Sequence, residues 1–216
     1  KEMKKLESSF KNMVIVLTAV TVIAGVLLGF VNDITTEPIA QANAKALSDA
    51  IAVVMPEGYD NNPAEAPETI DVDGVSYTVY KATKGGEFLG AAVESTSNGF
   101  GGALRVLVGF DKEGKIKDYS LLSHSETPGL GSKAADWFRT DVRSNSNIIG
   151  LNPGEKALAV KNDGGQVDAI TASTITSRAF LRAVNNAYAA YAAQNGQQVD
   201  TQSGASPKAD ANVEQN

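Results

Sequence analysis

The chain has 216 residues, a formal net charge of −6, no cysteine and a single histidine. This length is enough for one sizeable folded core, and the missing cysteines exclude disulfides, thiolate zinc sites and iron–sulfur clusters held by this chain. One histidine excludes a multi-histidine metal site within one chain, so we predict no metal ligand, and the acidic balance argues against a nucleic acid partner because phosphate binding requires a basic surface.

Residues 13–31 form an apolar run without a charged side chain. A helix of this length spans roughly 28 Å, close to the hydrocarbon thickness of a bilayer. A buried core helix and a cleaved signal peptide are the alternatives, but a signal peptide has a shorter apolar region of about 7–15 residues, so we expect an uncleaved transmembrane anchor. Lysines precede the run, and Asp33 and Glu37 follow it. The positive-inside rule therefore predicts that residues 1–12 are cytoplasmic and that everything after Asp33 lies outside.

A second helix is predicted over residues 32–56, where apolar residues recur at alternating spacings of four and three. Pro38 fits its first turn and Pro56 follows its end. We expect this helix to link the anchor to a folded domain over residues 57–195. Residues 196–216 contain almost no large aliphatic side chain, which predicts a disordered tail.

The folded domain is predicted to begin with an antiparallel meander. Residues 72–82 contain the hairpin turn signal Asp73-Gly74 followed by an alternating strand pattern, and further strands are predicted over 88–95, 104–110 and 116–122. The remaining elements are predicted as a helix over 132–142, a strand pair over 157–160 and 166–170, and a last helix that ends near Ala193. The fold class is therefore α+β: a single N-terminal transmembrane helix followed by one extracytoplasmic domain with an antiparallel sheet flanked by helices.

Two glycine-rich loops accompany the meander. Asn98-Gly99-Phe100-Gly101-Gly102 precedes a strand, whereas phosphate-binding glycine loops follow a strand and open a helix. A plain turn and a close backbone approach to a ligand remain equal alternatives for this loop. The second loop, Ser123 to Gly131, has a restricted backbone because it contains Pro128 and two glycines. His124 lies among serines there, but no Gly-x-Ser-x-Gly sequence exists, so a hydrolase is disfavoured and no catalytic residue is predicted.

The segment from Asp168 to Ser177 carries five hydroxyl residues and opens the last helix. Helix capping is the simple explanation, because a Ser or Thr oxygen accepts a hydrogen bond from an unpaired N–H of the first turn. The alternative is an anion site, because a helix N-terminus offers free N–H groups and partial positive charge to a phosphate. Spacing alone favours capping.

The spacing Asp168-x-x-Thr171-x-x-Thr174 resembles the acceptor motif of proteins that carry FMN covalently, through a phosphoester to the final threonine. In that family the motif reads Asp-x-x-(Ser/Thr)-Gly-Ala-Thr. Here Ala172 and Ser173 stand where glycine and alanine are usual. We expect the turn to survive this change, with Ala172 unable to adopt the positive φ that is open to glycine.

The anchor, the Gly-Phe-Gly-Gly loop, the His-Ser-Glu-Thr-Pro-Gly-Leu-Gly loop and the acceptor threonine occur in this order. Over about residues 10–195 the chain thus resembles the FMN-binding domain family found in the G subunit of the Rnf electron-transport complex and in the C subunit of the Na⁺-translocating NADH:quinone oxidoreductase. The Rnf protein is the closer match. The resemblance implies that Thr174 carries FMN. It also implies further cofactor contacts at Phe100, Gly101, Glu126, Thr127, Gly129, Leu130, Gly131, Asp168, Thr171, Ser173 and Thr176.

The resemblance implies an electron-carrier subunit of an ion-translocating ferredoxin:NAD oxidoreductase that is not catalytic alone. It places the chain in the bacterial inner membrane with a periplasmic FMN domain, beside other membrane subunits, and it requires a flavin transferase to attach the FMN. Two other classes stay open: a non-redox, membrane-tethered binding module, and an assembly subunit that has lost its flavin.

Overall fold

The computed structural model describes residues 10–196. The first nine residues of the predicted cytoplasmic segment, and the predicted tail from residue 197 onward, lie outside the described residues. The chain divides into two compact units, residues 1–46 and residues 47–216. Each unit is described by itself below.

Helix α1 runs from Phe10–Val54 without a break, and Pro38 lies inside it. The predicted helical character of residues 32–56 is thus confirmed as far as Val54, but the prediction of a separate helix with Pro38 in its first turn was wrong. The alanine-rich sequence that follows Pro38 has high helix propensity, and the helix continues through the proline despite the lost hydrogen bond. The most apolar stretch of α1 has the length and composition to cross a membrane, and none of that stretch is buried in protein.

Five antiparallel strands form one sheet in the order of the sequence. They are β1 (Glu68–Val72), β2 (Val75–Lys84), β3 (Glu87–Asn98), β4 (Ala103–Asp111) and β5 (Ile116–Ser123). The predicted meander is confirmed, but β1 was missed because it is a short edge strand with mostly polar residues. Asp73 and Gly74 join β1 to β2 with positive φ at both positions, as a two-residue hairpin turn requires.

The last helix, α3 (Thr174–Gln194), covers one face of the sheet. Its residues Phe180 and Val184 share a buried cluster with Val93 and Val108 of the central strands. The opposite face is covered by the end of α1, whose buried members are Ala50, Ile51 and Val54. The sheet is therefore a middle layer between two helices, which agrees with the predicted α+β class.

A short helix, α2 (Ala134–Trp137), follows a single 3₁₀ turn. The prediction of a helix over 132–142 was too long. The Arg139 N–H bonds to the Asp136 carbonyl three residues back, and the Phe138 carbonyl accepts from the Ile148 N–H, so the backbone leaves the helical pattern after Trp137. Tyr119 of β5 holds α2 in place, because its hydroxyl donates to the Ala134 carbonyl and accepts from the Phe138 N–H. Burial raises the pKa of Tyr119 to about 12.

The predicted strand pair over 157–160 and 166–170 is also wrong. Val160 and Val167 form an isolated parallel bridge instead. The connection contains a 3₁₀ turn at Lys161–Asp163, and Gly164 after it has a φ of 80°. This turn returns the chain before a ladder of several residues forms.

Helix α1 approaches the sheet closely at Gly109 of β4, because a Cβ atom there would overlap the Val54 carbonyl. Forced overpacking costs typically about 1–3 kcal/mol, so we expect Gly109→Ala to lower the free energy of unfolding by that amount. Gly29→Ala is the control, since a Cβ at Gly29 meets no atom within 4 Å. Denaturant unfolding of both variants in detergent checks this, and equal stabilities would contradict the close approach.

Candidate functional site

Three segments that are far apart in the sequence meet at one cavity of about 430 Å³. They are the loop between β3 and β4, the segment that follows β5, and the first turn of α3 with the residue pair before it. The cavity is lined by Phe100, Glu126, Thr127, Leu130, Gly131, Ala172, Ser173, Thr174, Ile175 and Thr176. Both glycine-rich loops and the hydroxyl-rich segment therefore belong to the same site.

The turn that leads into α3 is strained at Ala172. This residue has a φ of +62°, so the expectation that it would not adopt a positive φ was wrong. An L-residue in this conformation costs roughly 1–2 kcal/mol relative to the right-handed region. The turn that a glycine favours is thus formed here by alanine, and the surrounding packing holds it.

Among the threonines of this segment in the described chain, Thr174 is the one whose hydroxyl has no hydrogen-bond partner. Thr176 donates to Glu126, and Thr171 accepts from Arg143 at 3.4 Å. Within residues 10–196, the half-buried Thr174 side chain makes no hydrogen bond. A free hydroxyl at the wall of a cavity is available as a nucleophile or as an attachment point.

The first turn of α3 is not capped by a side chain. Ser173 occupies the N-cap position without a side-chain hydrogen bond to the helix. In the described part of the chain, the N–H groups of residues 174–176 have no acceptor. Helix capping therefore does not explain the hydroxyl residues of this segment. Three backbone N–H donors remain unpaired at the positive end of a 21-residue helix.

The mouth of the cavity is apolar. Phe100 is 71% exposed, Ile175 is 52% exposed and Leu130 is 40% exposed. Pockets for small ligands combine such apolar walls with a few polar groups, in volumes of about 300–1,000 Å³. Unpaired helix N–H groups beside apolar side chains and a free hydroxyl fit a ligand that has a phosphate and a flat aromatic ring, so the residues present fit FMN.

Glu126 is the buried charge of the site. Its side chain is 5% exposed, and no lysine, arginine or histidine pairs with it within the described residues. One oxygen accepts from the Gly101 N–H at 3.1 Å and the other from the Thr176 hydroxyl at 2.6 Å. Its own N–H donates to Nδ1 of His124. The carboxylate thus connects the segments that line the cavity.

Asp168 and Thr171 do not line this cavity, and neither do Gly101 and Gly129. The Asp168 carboxylate pairs with Lys161 at 2.9 Å and accepts from the Asn145 N–H. The hydrogen bond from Lys161 holds the pKa of Asp168 below its ordinary value. Gly101 reaches the site through Glu126, whereas a Cβ at Gly129 would meet open space.

Two cavity-lining residues were absent from the predicted contacts. Ala172 was interpreted as a substitution within the motif, and Ile175 as part of the helix that follows it. The signal for Ile175 was available, because the first turn of a helix presents consecutive residues around its N-terminus. Nothing in the sequence alone indicated that Ala172 lines the cavity.

Comparison with known proteins indicates the family to which this chain belongs. A family model described as FMN-binding domain matches residues 99–189, a span that contains all three cavity-lining segments. The G subunit of the ion-translocating oxidoreductase complex of Cereibacter sphaeroides is 34% identical over 171 residues, which cover 76% of this chain and 76% of that protein. The corresponding protein of Yersinia pestis is 39% identical over 173 residues, which cover 74% of this chain and 80% of that protein.

Among solved structures, the C subunit of the Na⁺-translocating NADH-quinone reductase of Parabacteroides distasonis is 18% identical with a TM-score of 0.45. That match covers 70% of this chain and 93% of the other. Fold, site and family model together define a protein with an FMN-binding domain. More particularly, the chain belongs to the family of the G subunits of ion-translocating oxidoreductase complexes.

Replacing Ala172 by glycine tests the strain in the turn. Removing roughly 1–2 kcal/mol of strain outweighs the greater unfolded-state freedom of glycine, roughly 0.5–1 kcal/mol. We therefore expect Ala172→Gly to raise the unfolding free energy by about 0.5–1 kcal/mol. Ala157→Gly, at an exposed position with ordinary φ, is expected to lower it. Chemical denaturation measures both, and destabilisation by Ala172→Gly would contradict the strained turn.

The pair of Lys161 and Asp168 predicts a pH dependence. Because the folded state lowers the pKa of Asp168, the pair stabilises the fold above the ordinary aspartate pKa of about 3.9. This stabilisation is lost as the pH falls through the lowered folded-state pKa. We expect Lys161→Met to lower Tm at neutral pH and to match the wild type in strong acid, whereas Lys117→Met is the control. A Tm difference that does not shrink on acidification would exclude the ion pair as its cause.

Proposed function

We propose that this chain is a membrane-anchored electron carrier of an ion-translocating oxidoreductase complex, with FMN joined covalently to Thr174. The observation that carries the proposal is the free Thr174 hydroxyl, which lies at the wall of the cavity beside three unpaired N–H groups. The names of the relatives in Cereibacter sphaeroides and Yersinia pestis support the complex. The family model supports FMN as the cofactor.

Different residues of the chain would bind the phosphate and the ring of FMN. The N–H groups at the start of α3 would hold the phosphate, because the helix N-terminus favours an anion there. Phe100, Leu130 and Ile175 would cover the apolar ring, and Glu126 would hold the surrounding segments in place. When bound, FMN supplies the electron transfer, whereas the protein supplies binding, orientation and electrostatics.

Attachment to Thr174 requires a second protein. We take this to be a flavin transferase, because the described residues contain no cluster of acidic, histidine or cysteine side chains that could hold a metal for nucleotide cleavage. Flavin adenine dinucleotide is the chemically suitable FMN donor, because its pyrophosphate bond is activated. In this step the Thr174 O–H bond and the P–O bond of the pyrophosphate would break, and an O–P bond would form between Thr174 and FMN. AMP would leave, and the transferase would accept the proton.

Helix α1 is the proposed single-pass anchor in the inner membrane, with the segment before it in the cytoplasm and the FMN-binding domain in the periplasm. A covalent bond suits this location, because a cofactor lost outside the cytoplasm is not readily replaced. Other membrane subunits would deliver and remove the electrons. The chain alone would turn over no physiological substrate.

Mass spectrometry of the peptide that contains Thr174 tests the attachment. We expect one FMN-sized adduct on Thr174 when the full chain is produced together with a flavin transferase. Thr174→Val should lack the adduct because it lacks the nucleophilic oxygen, whereas Thr174→Ser keeps a hydroxyl and should be modified. An adduct on Thr171 or Thr176, or one that persists in Thr174→Val, would refute the assignment.

Protease accessibility tests the proposed orientation. Protease added to intact spheroplasts should digest the domain after residue 33 and spare the first dozen residues, since lysines before the apolar run retain that end in the cytoplasm. Lysed cells are the control, in which both sides are accessible. Complete protection of the domain in intact spheroplasts would reverse the topology.

A further inference from the structure

Glu126 is bonded to two segments other than its own. The Gly101 N–H belongs to the loop between β3 and β4, and the Thr176 hydroxyl belongs to the first turn of α3. Burying a carboxylate is costly unless its oxygens are hydrogen-bonded. Because these two donors reach opposite oxygens of one side chain, the carboxylate connects all three segments that line the cavity.

Glycines make room for this carboxylate from two sides. A Cβ atom at Gly99 would overlap Oε1 of Glu126, and a Cβ at Gly131 would overlap Oε2. A Cβ at Gly101 would overlap the Ser125 carbonyl next to it. Gly99, Gly101 and Gly131 therefore have a common physical reason, which is the space occupied by Glu126 and the backbone beside it.

We propose that Glu126 is a positioning residue that holds the first turn of α3, and with it Thr174, against the two glycine-rich loops. Helix α3 begins at Thr174, and Thr176 lies in the same turn. A bond from Thr176 to a side chain anchored on the other loop therefore limits how this turn moves. Glu126 acts on Thr174 through Thr176, and its contact with any ligand is secondary to that role.

Conservative substitutions separate this role from that of a simple charge. A glutamine at 126 keeps both contacts, because its oxygen accepts from Gly101 and its amide donates to a threonine oxygen that both donates and accepts. An alanine removes both contacts. At position 176, valine removes the hydroxyl and leaves a buried carboxylate oxygen without its donor, whereas serine keeps the hydroxyl.

The first measurement does not depend on flavin. Hydrogen–deuterium exchange of the full chain in detergent is followed at the Gly101 amide, alone or within its peptide. Losing a hydrogen bond to a charged group corresponds to about a tenfold or greater change in opening, so Glu126→Ala should speed exchange by about that factor. Glu126→Gln should restore slow exchange. Unchanged exchange in Glu126→Ala, or equally fast exchange in both variants, would overturn the proposal.

The second measurement rests on the proposed modification of Thr174. The rate of flavin loading by a purified transferase, and the visible circular dichroism of the loaded chain, are compared for Thr176→Val and Thr176→Ser. We expect valine to slow loading by about tenfold and to change the dichroism, and serine to rescue both. Thr78→Val on β2 is the matched control. If valine and serine load equally and give the same dichroism, Glu126 does not position Thr174. If no variant is loaded, the proposed function fails, and the exchange measurement still decides the role of Glu126.

Discussion

Helix α3 packs most of its length against the sheet, and the position of its first residue depends on that packing. Phe180 stacks on Phe138 with ring centroids 4.5 Å apart and meets Tyr119 edge to face at 4.8 Å. Farther along, Tyr188 and Tyr191 contact Phe110 of β4. These aromatic contacts, together with the buried aliphatic side chains, hold the helix in place against the sheet. Since the helix begins at Thr174, the core of the domain and the site of the proposed attachment are parts of one packing arrangement.

The site combines features that are unfavourable in the protein alone. Ala172 has a left-handed backbone, three helix N–H groups lack an acceptor within the described chain, and Phe100 is largely exposed. Strained backbone and unpaired polar groups persist where the surrounding structure over-determines them, and such places cluster at functional sites. Under the proposed function, a phosphate on Thr174 gives the N–H groups an acceptor and a flat ring covers the apolar mouth. The folded sheet and α3 provide the stability that these features cost.

The sequence predicted most of the sheet because strand alternation and two-residue turns are local signals. The last helix was predicted for the same reason, from its apolar stripe. The edge strand β1 was missed because it is only five residues long, although Ile70 and Val72 alternate with exposed polar residues and pack against the core. The helix after residue 132 was predicted too long, because its end depends on non-local contacts such as the bond from the Ile148 N–H to the Phe138 carbonyl. Local patterns do not report such competing contacts.

The candidate site was predicted in part. Resemblance to a family motif selected Thr174 and both glycine-rich loops, and the structure brings them together at one cavity. The positive φ of Ala172 was missed, because local propensity opposes it and tertiary packing imposes it. The partners of Glu126 lie 25 and 50 residues away in the sequence, so no local pattern joins them. Asp168 belongs to the motif but pairs with Lys161 outside the cavity.

We propose above all that this chain holds its flavin by a covalent bond. The most direct measurement is the visible absorption spectrum of the full chain, purified from membranes with its transferase present and then denatured in detergent and acid. We expect the yellow colour to stay with the precipitated polypeptide and the amount of bound flavin to approach one per chain. Release of all the flavin into the supernatant, or a colourless chain, would contradict it.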